Sequence, residues 1–352
     1  MRGWLGISSI LLCSNFFLAV PVHAQSTFEF ALIGDMPYDA RHREEFINLM
    51  KEIDAADLDF VVHDGDFWWD GKEWPEKAQG FPPCGDDTFQ DRLDLARASK
   101  HPFIFVAGDN EWADCWRAKP RAYDPLERLT KLRQAFFSGD HSLGRRTIRL
   151  KRQSDDPHYA EFRENMRWIR GDVLFVALHL IGSNDNLGRT PEMDAEHGRR
   201  MAANLAWMSE SFGIAARERH RAVMIIAQAD PRFENTWPTD MQKRYMLEGL
   251  GFQPPEKRRA TGYDEFLAAL EKETLAFGKP VVYVHGDSHL FRIDKPLVGT
   301  RSRRAIENFT RVETFGHPYA HWIRARVDGD DPNVFRFTQE IVKNNVVDHS
   351  RP

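Results

Sequence analysis

Cysteine is scarce: the chain has three among 352 residues, at positions 13, 84 and 115. That is too few for the multi-bridge frameworks that hold small secreted domains together. Basic charge is not in excess either, with 48 Lys and Arg against 53 Asp and Glu and a formal net charge of −5. A protein that grips nucleic acid through a basic face is not expected from this balance. Beyond the N-terminus no apolar run is long enough to span a bilayer. Internal repeats, low-complexity tracts and Gly/Ser linkers are absent as well, so one α/β domain is the economical reading. The chain also lacks a Gly-x-Ser-x-Gly elbow, a His-Glu-x-x-His helix, a phosphate-binding loop ending in Lys-Ser/Thr and a Gly-x-Gly-x-x-Gly turn. Serine hydrolases, zincins, nucleotide kinases and dinucleotide-binding enzymes in their usual forms are thereby excluded.

What is present begins with residues 1–24. Arg2 precedes an apolar run from Leu5 to Val20, and Val22-His23-Ala24 offers small residues where a signal peptidase cuts. This reads as a cleaved export signal, leaving a mature chain from about Gln25 in the periplasm or the medium without a stable membrane anchor. An uncleaved anchor fits less well because the run is short. Lipidation at Cys13 fits poorly after Leu11-Leu12. In an oxidising compartment the two remaining cysteines, Cys84 and Cys115, are most simply one disulfide, a crosslink worth about 3 kcal/mol.

Short runs rich in Phe, Val and Ile recur at Phe28 to Ile33, Phe60 to Val62, Phe103 to Val106, Val173 to Leu178, Val223 to Ala227 and Val281 to Val284. They read as buried strands. Helical periodicity lies between them, over Arg41 to Ala56, Leu126 to Phe137, about Ala195 to Ala216 and Asp264 to Phe277. Such alternation implies parallel strands with helical cover. Strand candidates then crowd together at Arg311 to Phe315, Trp322 to Val327 and Val334 to Ile341, as in an antiparallel extension. The polar stretches of about 139–170 and 232–262 are long for plain connections and read as insertions that shape a site. A basic run in the first of them, Arg145, Arg146, Arg149, Lys151 and Arg152, reads as a solvated hairpin rather than a phosphate clamp.

The strand ends carry the chemistry. They read Gly34-Asp35, Asp64-Gly65-Asp66, Gly108-Asp109-Asn110-Glu111, Gln228-Ala229-Asp230 and Gly286-Asp287-Ser288-His289. A single Asp in such a place caps a helix or closes a turn. Five in succession, at the edge where open α/β sheets bind ligands, point instead to carboxylates converging in one cleft. Their mutual repulsion calls for cations, and a metal pair is the natural offset.

These motifs, in this order from Phe28 to about Phe291, resemble the calcineurin-like metallophosphoesterase superfamily, which includes the purple acid phosphatases. The resemblance implies two mixed β-sheets packed as a sandwich with flanking helices, in four layers α/β/β/α, and a two-metal site at one edge. It implies that Asp66 bridges the ions, that Asp35 and His289 serve the first, and that Asp109, Asp230 and Asp287 serve the second. Asn110 stands where the family places its general-acid His. Pro37, Asp109-Asn110, Gln228 or Asp230, and Asp287 replace histidines or the Asn-His pair of the family pattern. Exchanging imidazole for oxygen ligands favours Mg, Mn or Fe over Zn.

The activity implied is hydrolysis of a small phosphomonoester or phosphodiester by metal-activated water. Asn110 cannot donate a proton as an imidazolium does, so Glu111, His179 or His317 would have to protonate the leaving group, or the leaving group would have to be a good one. Tyr38 could supply an oxygen to the first ion or simply pack. His63 and His285 could orient neighbouring carboxylates or be structural. Trp68, Trp69, Trp74, Trp112 and Trp116 either wall a pocket or pack their loops. The missing histidines motivate a second reading, a metal- or ligand-binding module on the same scaffold. A carboxylate-pair glycosidase is a third.

Overall fold

The computed structural model describes residues 27–68, 81–238 and 261–347, together with Met1 and Met241. The leader beyond Met1, Trp69, Trp74 and most of the 232–262 stretch lie outside the described residues.

Two mixed sheets form the centre. The first has the order β12-β11-β1-β2-β3, where β1 (Phe28–Ile33), β2 (Val61–His63) and β3 (Phe103–Phe105) are parallel. On the far side of β1, β11 (Trp322–Val327) and β12 (Phe335–Glu340) pair antiparallel. The second has the order β4-β5-β6-β7-β8-β10-β9. Its parallel centre is β6 (Val173–Ala177), β7 (Ala222–Ile226), β8 (Val281–His285) and β10 (Phe309–Glu313). The antiparallel flanks are β4 (Lys151–Arg152), β5 (Met166–Arg170) and β9 (Arg292–Asp294).

The period-2 alternation of β6 shows how the layers are held. Phe175 and Ala177 enter the core between the sheets, while Leu174 and Val176 join a second core under the helices. Between the sheets, the Phe175 ring meets Phe30 at 5.4 Å and Phe60 at 5.3 Å, both edge-on. Burying each such ring stabilises the stack by about 1.5–3 kcal/mol. On the outer face of the second sheet lie α4 (Pro191–Arg217), through Trp207, Met208 and Phe212, and α5 (Asp264–Phe277), through Phe266 and Leu270. The inter-sheet core extends to α1 (Ala40–Ala55), α2 (Asp86–Ala98) and α3 (Pro125–Phe136) through Phe46, Leu49, Phe89, Leu129 and Leu132. The caps follow the sequence: Asp39 accepts from the His42 amide, Asp124 from Leu126 and Glu127, and Thr190 from Met193.

The four-layer sandwich is as expected, and each expected strand and helix lies within a few residues of its place in the sequence. The antiparallel extension holds for β11 and β12 only: Arg311 to Phe315 falls on β10, which joins the other sheet parallel to β8 and antiparallel to β9. The stretch 139–170 also supplies β4 and β5, the outer strands of the second sheet. In β5, Arg167 and Arg170 flank Trp168 and Ile169, which hides the strand among polar residues. The basic run just before it is spent on the fold. Arg145 donates to Ala98 O at 2.9 Å, Arg146 to Leu58 O at 3.2 Å and Arg152 to Gly139 O at 2.6 Å, while Arg149 pairs with Asp140 and Lys151 with Asp155.

Candidate functional site

The parallel strands of both sheets end at one edge, and the turns that follow are sharp. Asp35 (φ 51°), Asp66 (60°), Ser183 (50°), Asp287 (72°) and His289 (63°) all adopt left-handed backbone conformations. Such geometry costs roughly 1–3 kcal/mol per residue, and its concentration here marks a site over-determined by its surroundings. Two glycines admit the carboxylates of neighbouring turns. A Cβ on Gly108 would overlap the Asp66 carboxylate, and one on Gly286 would overlap that of Asp35.

A cleft of about 300 Å³ results. Asp66, Asp109, Asp114 and Asp287 line it together with Tyr38, Asn110, Arg117, Ser183, His289 and His317. Asp66 is held from both sheets: its Oδ1 accepts from the Asn110 amide at 3.1 Å and its Oδ2 from Gln228 Nε2 at 2.9 Å. Gln228 is fixed in turn by the Gly182 amide, which donates to its Oε1 at 2.6 Å. Asp35 lies fully buried behind the cleft. Its Oδ1 accepts from the Asp287 amide at 3.2 Å and lies 3.5 Å from His289 Nε2, while the Tyr38 hydroxyl is 3.0 Å from that nitrogen.

Crowded negative charge governs the electrostatics. Burial and then the charge of Asp109 hold the carboxyls of Asp66 and Asp287 well above the ordinary range. Burial also raises Asp109, and burial followed by Asp109 pushes Asp114 up to about 7. Burial works against a charged His289, but its hydrogen bond to Asp35 and the field of Asp35 and Asp287 prevail and lift it to about 9.

Of the expected ligands, the fold brings together Asp35, Asp66, Asp109, Asp287 and His289. The Asp230 side chain is turned away. Its Oδ1 accepts from the Arg232 amide at 2.9 Å and its Oδ2 from Arg292 at 3.0 Å, and only its backbone N–H serves the site, donating to Asp287 Oδ2 at 3.0 Å. The side chain that reaches Asp66 from this strand end is Gln228.

Among the residues considered as acids, Asn110 lines the cleft, with its Nδ2 donating to Trp68 O at 3.0 Å. Glu111 does not reach the cleft. Its carboxylate accepts from the amides of Gly108 (2.6 Å) and Phe67 (2.7 Å), which clamps two motifs together, and burial holds it up at about 8. His179 is likewise a brace. Its Nε2 accepts from the Trp112 indole at 3.1 Å and its Nδ1 meets Glu164 at 2.8 Å, deep between β6 and α4. His317 does line the cleft, stacked on Tyr38 at 5.1 Å. His63 and His285 hold backbone carbonyls, those of Met36 and Gly286.

The disulfide Cys84–Cys115 is formed, with a Cα separation of 5.8 Å. Both sulfurs lie 3.6 Å from the Asn110 carbonyl, which also accepts from Trp68 Nε1 at 2.6 Å, so bridge and indole fix the turn bearing Asp109. Trp68 and Trp112 are buried and pack the loops, whereas Trp116 is 51% exposed. Sequence reasoning passed over Asp114, Arg117 and Ser183. The Asp-x-x-Arg spacing was a readable signal for the first two.

Among the described residues, no group of three or more His, Cys, Asp or Glu side chains is already arranged to hold a metal ion. The donor chemistry nevertheless fits hard cations. The cluster is almost entirely carboxylate oxygen, its charge is under-compensated, and Asp35 Oδ2 is buried with no hydrogen-bond partner.

No family model matches the chain, and no curated protein matches it by sequence. Solved structures match it in fold. A structure of PhoD aligns with a TM-score of 0.52 at 11% identity, over 86% of this chain and 64% of that one. A dimetal phosphatase from Danio rerio aligns with a TM-score of 0.52 at 12% identity, over 90% of this chain and 96% of that one. At such identity the likeness is one of fold: the chain has the two-sheet fold of metallophosphatases, in agreement with the resemblance read from its strand-end motifs. This chain spans about two thirds of PhoD, 64% of its length. No described helix is long and apolar enough to cross a membrane.

Proposed function

We propose that the protein is a metal-dependent phosphoesterase acting on a small phosphomonoester or phosphodiester. The observation that carries this reading is the convergence of Asp66, Asp109, Asp287 and His289 on one cleft with Asp35 directly behind them, from four strand ends of two sheets. Asp35 and His289, with Asp66 between, would hold one divalent cation, and Asp66, Asp109 and Asp287 a second, with Mg, Mn or Fe favoured over Zn by the oxygen donors. When bound, such ions supply an activated water and neutralise charge on phosphoryl oxygens. The chain's own residues do the rest. Asn110 and Gln228 fix both oxygens of Asp66, Tyr38 orients His289, and the disulfide-pinned turn holds Asp109. Of the acids considered, His317 is the imidazole that lines the cleft, and it would be the one to give a proton to a leaving group. The disulfide supports export into an oxidising compartment.

The test is turnover of aryl mono- and diesters by purified mature protein with Mg²⁺, Mn²⁺, Fe²⁺ or Zn²⁺, beside Asp66→Asn. Metal-stimulated hydrolysis lost in the variant supports the enzyme. One observation favours the binding-module reading: the Gln228 amide already occupies Asp66 Oδ2. Tight metal binding without turnover would establish it.

A further inference from the structure

We propose that Arg117 is the oxyanion-binding arm of the cleft, the residue that takes the phosphoryl oxygens of the substrate and the phosphate released. The inference rests on the phosphoesterase reading and deepens it. A cleft lined by Asp66, Asp109, Asp114 and Asp287 repels any phosphorylated molecule. Fixed positive charge on the protein beside the ions would draw such a molecule in. Among the described residues lining the cleft, Arg117 is the only Lys or Arg.

Its placement is built rather than incidental. Arg117 pairs with Asp114, whose side chain is only 3% exposed against 21% for the arginine, so a buried carboxylate seats a partly exposed arginine that lines the cleft. Ser183 donates to the other oxygen of Asp114 at 3.0 Å, and Arg189 stands 3.8 Å from it. The seat is rigid. The Asp114 amide donates to Asp109 O at 3.0 Å, the Arg117 amide to Asp114 O at 3.1 Å, and Cys115 between them is locked to Cys84. One turn thus carries both Asp109 and Arg117 into the lining of the cleft. A planar guanidinium matches two oxygens of a tetrahedral anion, which a lysine cannot do. The volume of about 300 Å³ suits a phosphoryl group with a small leaving group.

Calorimetric titration of inorganic phosphate into the full chain, with and without Mn²⁺, tests the assignment in wild type, Arg117→Gln and Arg117→Lys. The expected result is a phosphate Kd weakened about tenfold or more in Arg117→Gln and only partly restored by Lys, with Mn²⁺ affinity unchanged. Phosphate affinity within about twofold of wild type in Arg117→Gln overturns it. If the Gln variant melts early, Arg117→Lys decides, because it keeps the charge beside Asp114: weaker phosphate binding supports the fork and wild-type binding overturns it. Wild-type turnover of an aryl phosphate with a KM indifferent to Arg117 sinks the subsite and spares the phosphoesterase reading. Phosphate binding that depends on Arg117 without any turnover does the reverse.

Discussion

Gln228 and Asp66 meet across the seam between the sheets: the amide that follows β7 donates to the carboxylate that follows β2 at 2.9 Å. Placing a second carboxylate there, in Gln228→Glu, keeps an acceptor for the Gly182 amide but removes the donor to Asp66. The metal-free variant is expected to lose about 1–3 kcal/mol of stability. Added Mn²⁺ should raise its melting temperature more than that of wild type. An equal metal response in the two proteins would show that Asp66 does not face a cation.

Gly108 can be tested against a neutral partner. A Cβ there would overlap the Asp66 carboxylate and lie 2.8 Å from Gln228 Cγ, so Gly108→Ala is expected to displace Asp66 and abolish metal-stimulated turnover. In the interior of α4, a Cβ on Gly213 meets nothing within 4 Å. Gly213→Ala should therefore stabilise the protein by about 0.5–1 kcal/mol through helix propensity, with activity intact. Thermal melts and initial rates on the pair check both statements.

The crowded acids set a pH dependence for the metal-free protein. Glu111 is raised from 4.5 to about 8, and His289 from 6.5 to about 9. A raised folded pKa gives stability that is complete below the unfolded value and is lost as pH climbs through the folded one. Buried histidines held neutral, such as His63 and His285 at about 4, add stability as pH rises to the unfolded value of about 6.5, so in EDTA denaturant stability should fall from about pH 7 towards pH 9, by up to about 1.4 kcal/mol per pH unit for each proton involved. Saturating Mn²⁺ should flatten this slope. A metal-free stability that rises over this range would contradict the buried, under-compensated cluster.

His179 separates brace from acid. His179→Asn strips partners from the Trp112 indole and from Glu164, whose carboxyl is pulled down by Arg133 and His179 against its burial. The expected cost is roughly 2–4 kcal/mol, with the limbs of the pH–rate profile unmoved. A shifted limb would make His179 a proton donor after all.

Removing the Cys84–Cys115 bridge opens a loop of sequence separation 31 and should cost about 3–4 kcal/mol. Turnover should fall as well, because both Asp109 and Arg117 hang from the turn it pins. Urea curves and rates for Cys84→Ala with Cys115→Ala measure the two effects.

The architecture was legible because most of the parallel strands are short apolar runs, and β1, β2, β3 and β8 run directly into Gly and Asp, as buried strands meeting at a polar edge do. β5 escaped notice because its two arginines break the run. α2 did so because its first turn, Asp86-Asp87, reads as loop. Within the site, the residue types at each strand end were readable but their direction was not. Asp230 and Gln228 lie two positions apart, and Arg292 and Arg311, from β9 and β10, decide which of them faces Asp66. The seat of Arg117 depends on the turn closing under Asp114, which no single-sequence pattern reports.

The division of the cluster between two sheets ties chemistry to the completion of folding. Asp35, Asp66 and Asp109 hang from one sheet, Asp287 and His289 from the other, and the Phe30–Phe175 contact is where the halves seat. A chain with a single sheet formed owns only a fragment of the carboxylate cluster. Hydrolytic competence should then appear late in refolding, with closure of the sandwich, and a packing defect far from the cleft would surface as weakened ion affinity.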